Sequence, residues 1–374
     1  MIEIKFCNRC LTPNSRPRIV FDNQNVCNAC HNAEEKKKID WNKREREFLK
    51  IIDQIKNDKK KNQSYDCIVP WSGGKDSSSI AIKLKKYGLK PLLVTFSPLI
   101  INKIGEYNRE ILLKKGFDGL FFRPDQKIAK KLSQRFFIER GNPKIAWDAG
   151  VMSIPVKMAI NFNIPYIFYA EHGDSEYGGL VLKEESKKLR ETEEVIEHII
   201  GDYPQNWVSK DINIKDLYPY IYPDQKSLEK NKIKAYYFSY FFKWNMIENF
   251  EYIKKELPEF KINSKGRTSG TFTNFDSLDD KIDDLYYYMQ FIKFGFGRAI
   301  RDASRHIQND IFTREEGLGL AKKYDGEFPR ENLNLVLEYL DISESSFHEI
   351  INKHRNDEVW RKKNNNWELI NNLK

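Results

Sequence analysis

The sequence predicts an α/β fold built on a parallel, doubly wound sheet, with a small cysteine-bearing ribbon in front and a mainly helical region behind. Three observations support this. From residue 64 onward, short apolar runs alternate with helical stretches, the pattern of strands joined by crossover helices. A glycine-rich turn, Ser72-Gly-Gly-Lys-Asp-Ser77, stands directly between the first apolar run and the first helix. Two Cys-x-x-Cys pairs, Cys7/Cys10 and Cys27/Cys30, fall within the first thirty residues.

The ribbon is assigned to residues 1–35. The pairs are separated by sixteen residues rich in turn formers, including Pro13, Pro17 and Asn23, as suits a hairpin. Four thiolates at this spacing suit one tetrahedral Zn²⁺ in a closed, structural site. His31 follows Cys30 and is an alternative ligand, or a neighbour of the ligands. Residues 36–63 carry Trp41, Phe48, Ile51, Ile52 and Ile55 at helical spacing and close on Lys59, Lys60 and Lys61. They read as an amphipathic helix and a basic linker.

The sheet domain is assigned to residues 64–200. Strands are expected at 67–71, 91–96, 119–122 and 165–170, and helices at 78–87, 107–115, 126–139 and 146–162. Residues 201–374 form an aromatic-rich and then helical region, with a long helix over about 278–309. The densest aromatic run, 235–244, suits core packing or sugar stacking. Cys67 falls inside the first strand and reads as a core thiol.

The turn after the first strand carries the chemistry. Gly73 and Gly74 let the backbone turn so that successive N–H groups face a phosphate, and the following helix adds its positive N-terminal end. Ser72, Ser77 and Ser78 supply hydroxyls and Lys75 a cation, while Asp76 suits Mg²⁺ or helix capping. The spacing is not that of a Walker A loop. It resembles the PP-loop of the ATP pyrophosphatase superfamily, whose members have the adenine nucleotide alpha hydrolase-like fold. Members hold the β,γ-phosphates of ATP there and cleave between the α and β phosphates.

Beyond the fourth strand lies Glu171-His-Gly-Asp-Ser-Glu-Tyr-Gly-Gly179. Glu171, His172 and Glu176 at a strand's carboxyl end are candidates for orienting an acceptor or moving protons, beside Lys75 and Asp76; the plain alternative is a polar, helix-capping loop. Thr95 and Phe96, ending the second strand, are candidate adenine contacts. Arg298 and Arg301, with Arg305 on the same helical face, suit an anionic substrate, and Tyr177 joins Arg298 and Arg301 as a candidate substrate contact. Asp279, Asp280, Asp283 and Asp284 precede these cations, an order that also suits the helix dipole.

The net charge of +9 is spread along the chain and fits phosphate ligands or nucleic acid without choosing between them. The opening residues lack an apolar signal region and no apolar run is long enough to span a membrane, so a cytoplasmic protein without a membrane partner is expected.

The cysteine pairs, Pro70-Trp-Ser-Gly-Gly-Lys-Asp-Ser77, Glu171-His-Gly173, Glu176-Tyr-Gly-Gly179, Leu278-Asp-Asp-Lys-Ile-Asp-Asp284, Ile292-Lys-Phe-Gly-Phe-Gly-Arg298 and Lys323-Tyr-Asp-Gly-Glu-Phe328 together resemble the N-acetyl sugar amidotransferase family. These are PP-loop enzymes of surface-polysaccharide or flagellin sugar biosynthesis, the pseudaminic acid amidotransferase type among them. The resemblance implies conversion of an acetamido sugar to an acetamidino sugar, with ATP and Mg²⁺ consumed in forming an adenylate. With no glutaminase module in the sequence, ammonia is expected from a separate glutaminase subunit. A homodimer is compatible with the long amphipathic segments, and nucleic acid is not expected as a partner. Two rival readings are a PP-loop tRNA thiolase, which needs cysteines this chain lacks, and a non-catalytic zinc-ribbon scaffold.

Overall fold

The computed structural model describes residues 4–59, 63–179, 184–364 and 366–370; Lys60 and Lys61 of the expected basic linker lie outside the described residues. Five parallel strands form the central sheet: β1 (Cys67–Pro70), β2 (Pro91–Phe96), β3 (Asp118–Phe122), β4 (Tyr166–Tyr169) and β5 (Lys234–Tyr237). Their order is β3-β2-β1-β4-β5. The chain therefore winds outward from β1 in one direction, then returns and winds outward in the other. Such a reversal opens a crevice at the carboxyl ends of the two central strands, here β1 and β4. Cys67 pairs with Pro91 on one side of β1, and Ile68 pairs with Ile167 on the other.

Alternate strand residues face opposite layers. Cys67, Val69 and Phe168 face a core shared with Phe48, Ile80 and Leu84, whereas Ile68, Ile167 and Val94 face one shared with Phe136, Ala149 and Ile154. The first layer is α2 (Trp41–Asp58), α3 (Lys75–Lys86), α4 (Lys103–Lys114) and α9 (Met246–Glu256), with α1 (Asn28–Lys37) leading into it. The second is α5 (Gln126–Arg140) and α6 (Ile145–Asn161). Between β4 and β5 lie the short helices α7 (Gly173–Tyr177) and α8 (Gln225–Lys230). The remaining helices are α10 (Asp283–Phe294), α11 (Arg298–Gln308), α12 (Arg314–Tyr324), α13 (Leu333–Leu340) and α14 (Glu344–His354), and β6 (Trp360–Lys363) with β7 (Asn366–Leu369) make a hairpin.

Two expectations are corrected. A fifth strand, β5, extends the sheet beyond residue 200; its aromatic residues are buried and Phe238, Phe241 and Phe242 ring Phe48 in the core. The expected single helix over 278–309 is two, because Gly295 at φ +73° caps α10 and Gly297 opens α11. The second cysteine pair stands at the start of α1, with Cys27 at the N-cap. No helix among the described residues is long and apolar enough to cross a membrane.

The ribbon is packed into the rest of the molecule. The Leu11 amide donates to Ser304 Oγ at 3.3 Å, Ser15 Oγ to the Phe294 carbonyl at 2.6 Å, and Gln308 reaches Cys10 Sγ at 3.5 Å. Lys36 of α1 pairs with Glu176 of α7.

Candidate functional site

The turn after β1 is held open from several sides. Gly73 has φ +89°, and an added Cβ would come within 2.5 Å of Arg109 Cγ. Glycine is required there both for conformation and for space. Arg109 Nη1 donates to the Ser72 carbonyl at 3.0 Å, and Thr95 Oγ1 donates to the Trp71 carbonyl at 2.5 Å. Thr95 is thus occupied in bracing the strand that leads into the turn. The Gly74 amide donates to Ser72 Oγ at 3.1 Å, and the Trp71 indole donates to Ser78 Oγ at 2.9 Å. α3 begins at once, so its first N–H groups lack helical partners and point into the crevice end of the sheet.

Ser77 Oγ is buried and has no hydrogen-bond partner among the described residues. An orphaned hydroxyl at a helix N-terminus is costly unless a ligand completes it. It borders a cavity of about 250 Å³ with Ser72, Phe96, Trp147, Met152 and Glu171. Aromatic and thioether surface on one side and the turn on the other suit a purine base and its phosphates. Trp147 and Met152 were not singled out from sequence, since both sit within an ordinary apolar helix.

Lys75 is 2% exposed, with Nζ 2.7 Å from Asp76 Oδ2 and 2.5 Å from Asp276 Oδ1. Burial pulls this ammonium toward neutrality, but the two carboxylates outweigh it and hold it above the ordinary lysine range. Asp76 also accepts from Asn249 Nδ2 at 3.0 Å. Asp276 and Asn249 lie 201 and 173 residues from their partners, beyond any sequence pattern.

Glu171 sits across the crevice at the end of β4. Burial, then the charge of Asp76, pushes its carboxyl up to about 7. The Tyr177 hydroxyl donates to it at 3.3 Å and accepts from the Trp244 indole at 3.1 Å. His172 is placed differently from its neighbour. Its Nδ1 accepts the Ser175 amide at 2.9 Å to cap α7, and its Nε2 faces Glu194 at 3.1 Å. Both ring nitrogens are thus engaged within the loop, and the ring does not border the cavity beside the turn. Glu176 pairs with Lys36 and lies toward the ribbon. Of the three, the structure brings only Glu171 to the cavity beside the turn.

Arg298 and Arg301 separate as well. Arg301 is bound to Asp302 at 2.8 Å and borders a second cavity together with Tyr177 and Arg305. Arg298 is buried on the far side of Asp302, at 3.9 Å, and is absent from that cavity's wall. The aspartates around 280 hold α10 in place: Asp280 accepts the Leu99 and Ile100 amides, Asp283 pairs with Lys144, and Asp284 accepts from Asn332.

The four ribbon cysteines are buried, and their sulfurs lie within 4.8 Å of one another. The pairs Cys7/Cys30 and Cys10/Cys27 are 3.8 and 3.6 Å apart. A tetrahedral metal with bonds of about 2.3 Å to sulfur sets its ligands roughly 3.8 Å apart, so the cluster fits a structural zinc ion. His31 is not among the ligands: its Nε2 bonds Asp22 at 2.7 Å. Cys67 is fully buried in β1 and burial pushes its thiol well up, as an inert core thiol.

Residues 269–374 match a family model described as LPS biosynthesis protein WbpG-like, C-terminal domain. That stretch contains the segments at 278–284, 292–298 and 323–328 on which the resemblance to the sugar amidotransferases rests, and the match fits that resemblance. A structural search finds a likeness to a chain described as a predicted subunit of tRNA methyltransferase from Methanocaldococcus jannaschii. It is 19% identical, covers 51% of this chain and 87% of that one, and has a TM-score of 0.22. No curated protein matches the chain.

Proposed function

We propose that the chain is an ATP-dependent sugar amidotransferase that turns an acetamido group into an acetamidino group and releases AMP and pyrophosphate. The observation that carries the reading is the pairing of an uncompleted Ser77 hydroxyl at the turn with the raised carboxyl of Glu171, both bordering one cavity at the switch between β1 and β4. The family match over the C-terminal region supports a surface-sugar substrate.

In this reading the base of ATP lies against Phe96, Trp147 and Met152, and its outer phosphates meet the turn, Ser77 and the N-terminus of α3. Lys75 is a cation held ready between two carboxylates, able to turn toward the phosphate oxygens. Asp76 would hold a Mg²⁺ brought with the nucleotide, and such an ion would offset charge on the phosphates. The acetamido oxygen attacks the α-phosphorus, the bond to the departing pyrophosphate breaks, and the amide N–H proton is lost to solvent. The resulting O-adenylyl imidate has a good leaving group where the amide had none. Ammonia then adds to the imidate carbon, Glu171 takes a proton from the incoming nitrogen, and AMP leaves with the former acetamido oxygen. A carboxyl near 7 is suited to that transfer at neutral pH.

Ammonia is mostly ammonium at neutral pH, and the cysteine outside the ribbon, Cys67, is sealed in the core. A separate glutaminase subunit is therefore part of the proposal. The buried Cys67 also gives a thiolase reading no sulfur carrier. The test is the nucleotide product formed from Mg-ATP, ammonium at alkaline pH and a panel of acetamido sugars. AMP with pyrophosphate, in the presence of one sugar only, supports the reading; ADP, or AMP independent of sugar, ends it.

A further inference from the structure

A second cavity, of about 330 Å³, lies where the cysteine ribbon meets α10 and α11. The ribbon contributes Arg16 and Arg18, α10 contributes Lys293, and α11 contributes Arg301 and Arg305. Three tyrosine rings, Tyr177, Tyr286 and Tyr287, complete the wall, and among the described residues no carboxylate lines it. Part of this charge is offset from behind. Arg18 meets Asp174 at 3.0 Å, and Arg301 meets Asp302 at 2.8 Å. Lys293 donates to the Arg140 carbonyl at 2.9 Å, which satisfies a hydrogen bond but leaves its charge.

Arg305 is held against an aromatic ring. Its guanidinium lies 3.5 Å over the Tyr177 ring, and its Nε is buried with no hydrogen-bond partner among the described residues. Arg16 donates to the carbonyls of Tyr177 and Gly178. Burial, then the charge of Arg305, pushes the Arg16 guanidinium down to about 10. Cations pressed together in a partly enclosed, water-poor space repel one another, and an anion placed among them removes that cost. The tyrosine faces offer a stacking surface beside it.

We propose that this ribbon cavity binds the anionic group of the acceptor sugar, a carboxylate or a phosphate, through Arg305 and Lys293, with a tyrosine ring against the sugar. The identity of the acceptor rests on the amidotransfer reading; the preference for an anion rests on the cavity wall. Tyr177 links the two sites, since it lines this cavity while its hydroxyl donates to Glu171 at the nucleotide cavity. A sugar anchored here by its anion has its other end one side chain away from the turn.

The experiment is calorimetric titration of the intact protein with three acetamido probes: N-acetylglucosamine, which is neutral, N-acetylneuraminate, which carries a carboxylate, and N-acetylglucosamine 1-phosphate. One charged probe is expected to bind at least about tenfold more tightly than the neutral one, and to weaken between roughly 50 and 300 mM salt. Whichever charged probe wins names the anion. Arg305→Gln and Lys293→Gln are each expected to lower that affinity about tenfold or more while Mg-ATP affinity stays unchanged. Melting curves accompany both, and Lys293→Gln carries the test if Arg305→Gln does not fold. Equal binding of all three probes, binding of neither charged probe, or charged-probe affinity that both folded variants leave unchanged overturns the proposal. The assay requires no turnover. AMP release with no preference for a charged sugar overturns the anion site and leaves amidotransfer standing; charged-sugar binding with no AMP release does the reverse.

Discussion

Replacing Lys75 with Met removes the ammonium from between Asp76 and Asp276 while keeping most of the side chain's bulk. In the folded protein this lysine is 2% exposed and contacts both carboxylates, at 2.7 and 2.5 Å. Deleting one partner of a buried ion pair costs about 3–5 kcal/mol, because the other charge stays behind uncompensated. Unfolding entropy scales with length to roughly 0.8 kcal/mol/K for a chain of this size, so Tm is expected to fall by about 4–6 °C. The pH dependence fixes the cause. Burial favours the neutral form of Asp276, but Lys75 outweighs it and holds the carboxyl below its ordinary range. In the native protein that stabilisation is present above about pH 4 and lost as pH falls through the lowered folded value. Without Lys75, burial and the charge of Asp302 push the carboxyl up against the weaker pull of Arg298, so mild acid neutralises the stranded carboxyl. The variant's deficit should therefore be larger near pH 8.5 than near pH 5.5. Scanning calorimetry at both pH values, with Mg-ATP titrations alongside, reads it. An equal drop at both pH values, or an unchanged affinity for Mg-ATP, would refute the account of Lys75 as a charge held ready for phosphate.

Gly73→Ala forces a side chain into a left-handed backbone and against Arg109, at a cost of about 1–3 kcal/mol. The observable is ATP affinity, which should drop by tenfold or more; normal affinity would show that the turn does not meet the nucleotide. Glu171→Gln should abolish the rise in rate through about pH 7, followed at fixed free-ammonia concentration, since the ionised carboxylate that accepts the proton predominates above that value. A variant that keeps the same limb assigns it to another group. Stripping metal with a chelator should expose four thiols to titration while Cys67 stays silent, and should lower Tm by several degrees; four thiols reactive before chelation would argue against a bound metal.

What the sequence made legible was what short-range chemistry dictates. The turn between β1 and α3 was readable because glycines, hydroxyls and a following helix are adjacent in the chain, and the ribbon because thiol spacing limits what a metal can join. Strands β1 to β4 declared themselves as apolar runs. β5 did not, since Lys234–Tyr237 lies inside a long aromatic stretch with no period of two to mark its ends. The break between α10 and α11 is carried by Gly295, which ends one helix, and Gly297, which opens the next. Asp276, Asn249 and Arg16 were out of reach, because each gains its role from a partner far along the chain. A histidine beside glutamates looks catalytic in sequence, and the contacts that close a helix end and face its ring to Glu194 are not written in its neighbours.

The packing of the ribbon onto α11 has a consequence for how the chain is made. Leu11 and Cys10 wait for Ser304 and Gln308, partners 293 and 298 residues downstream. At about 5–20 residues per second, synthesis separates the two by roughly 15–60 s. For that interval four thiols leave the ribosome without the surface that later buries them. A metal ion captured early would protect them from oxidation, and would also preform the face onto which the last third of the chain closes. Metal supply during translation, rather than after it, then governs how much of the newly made protein reaches its native state.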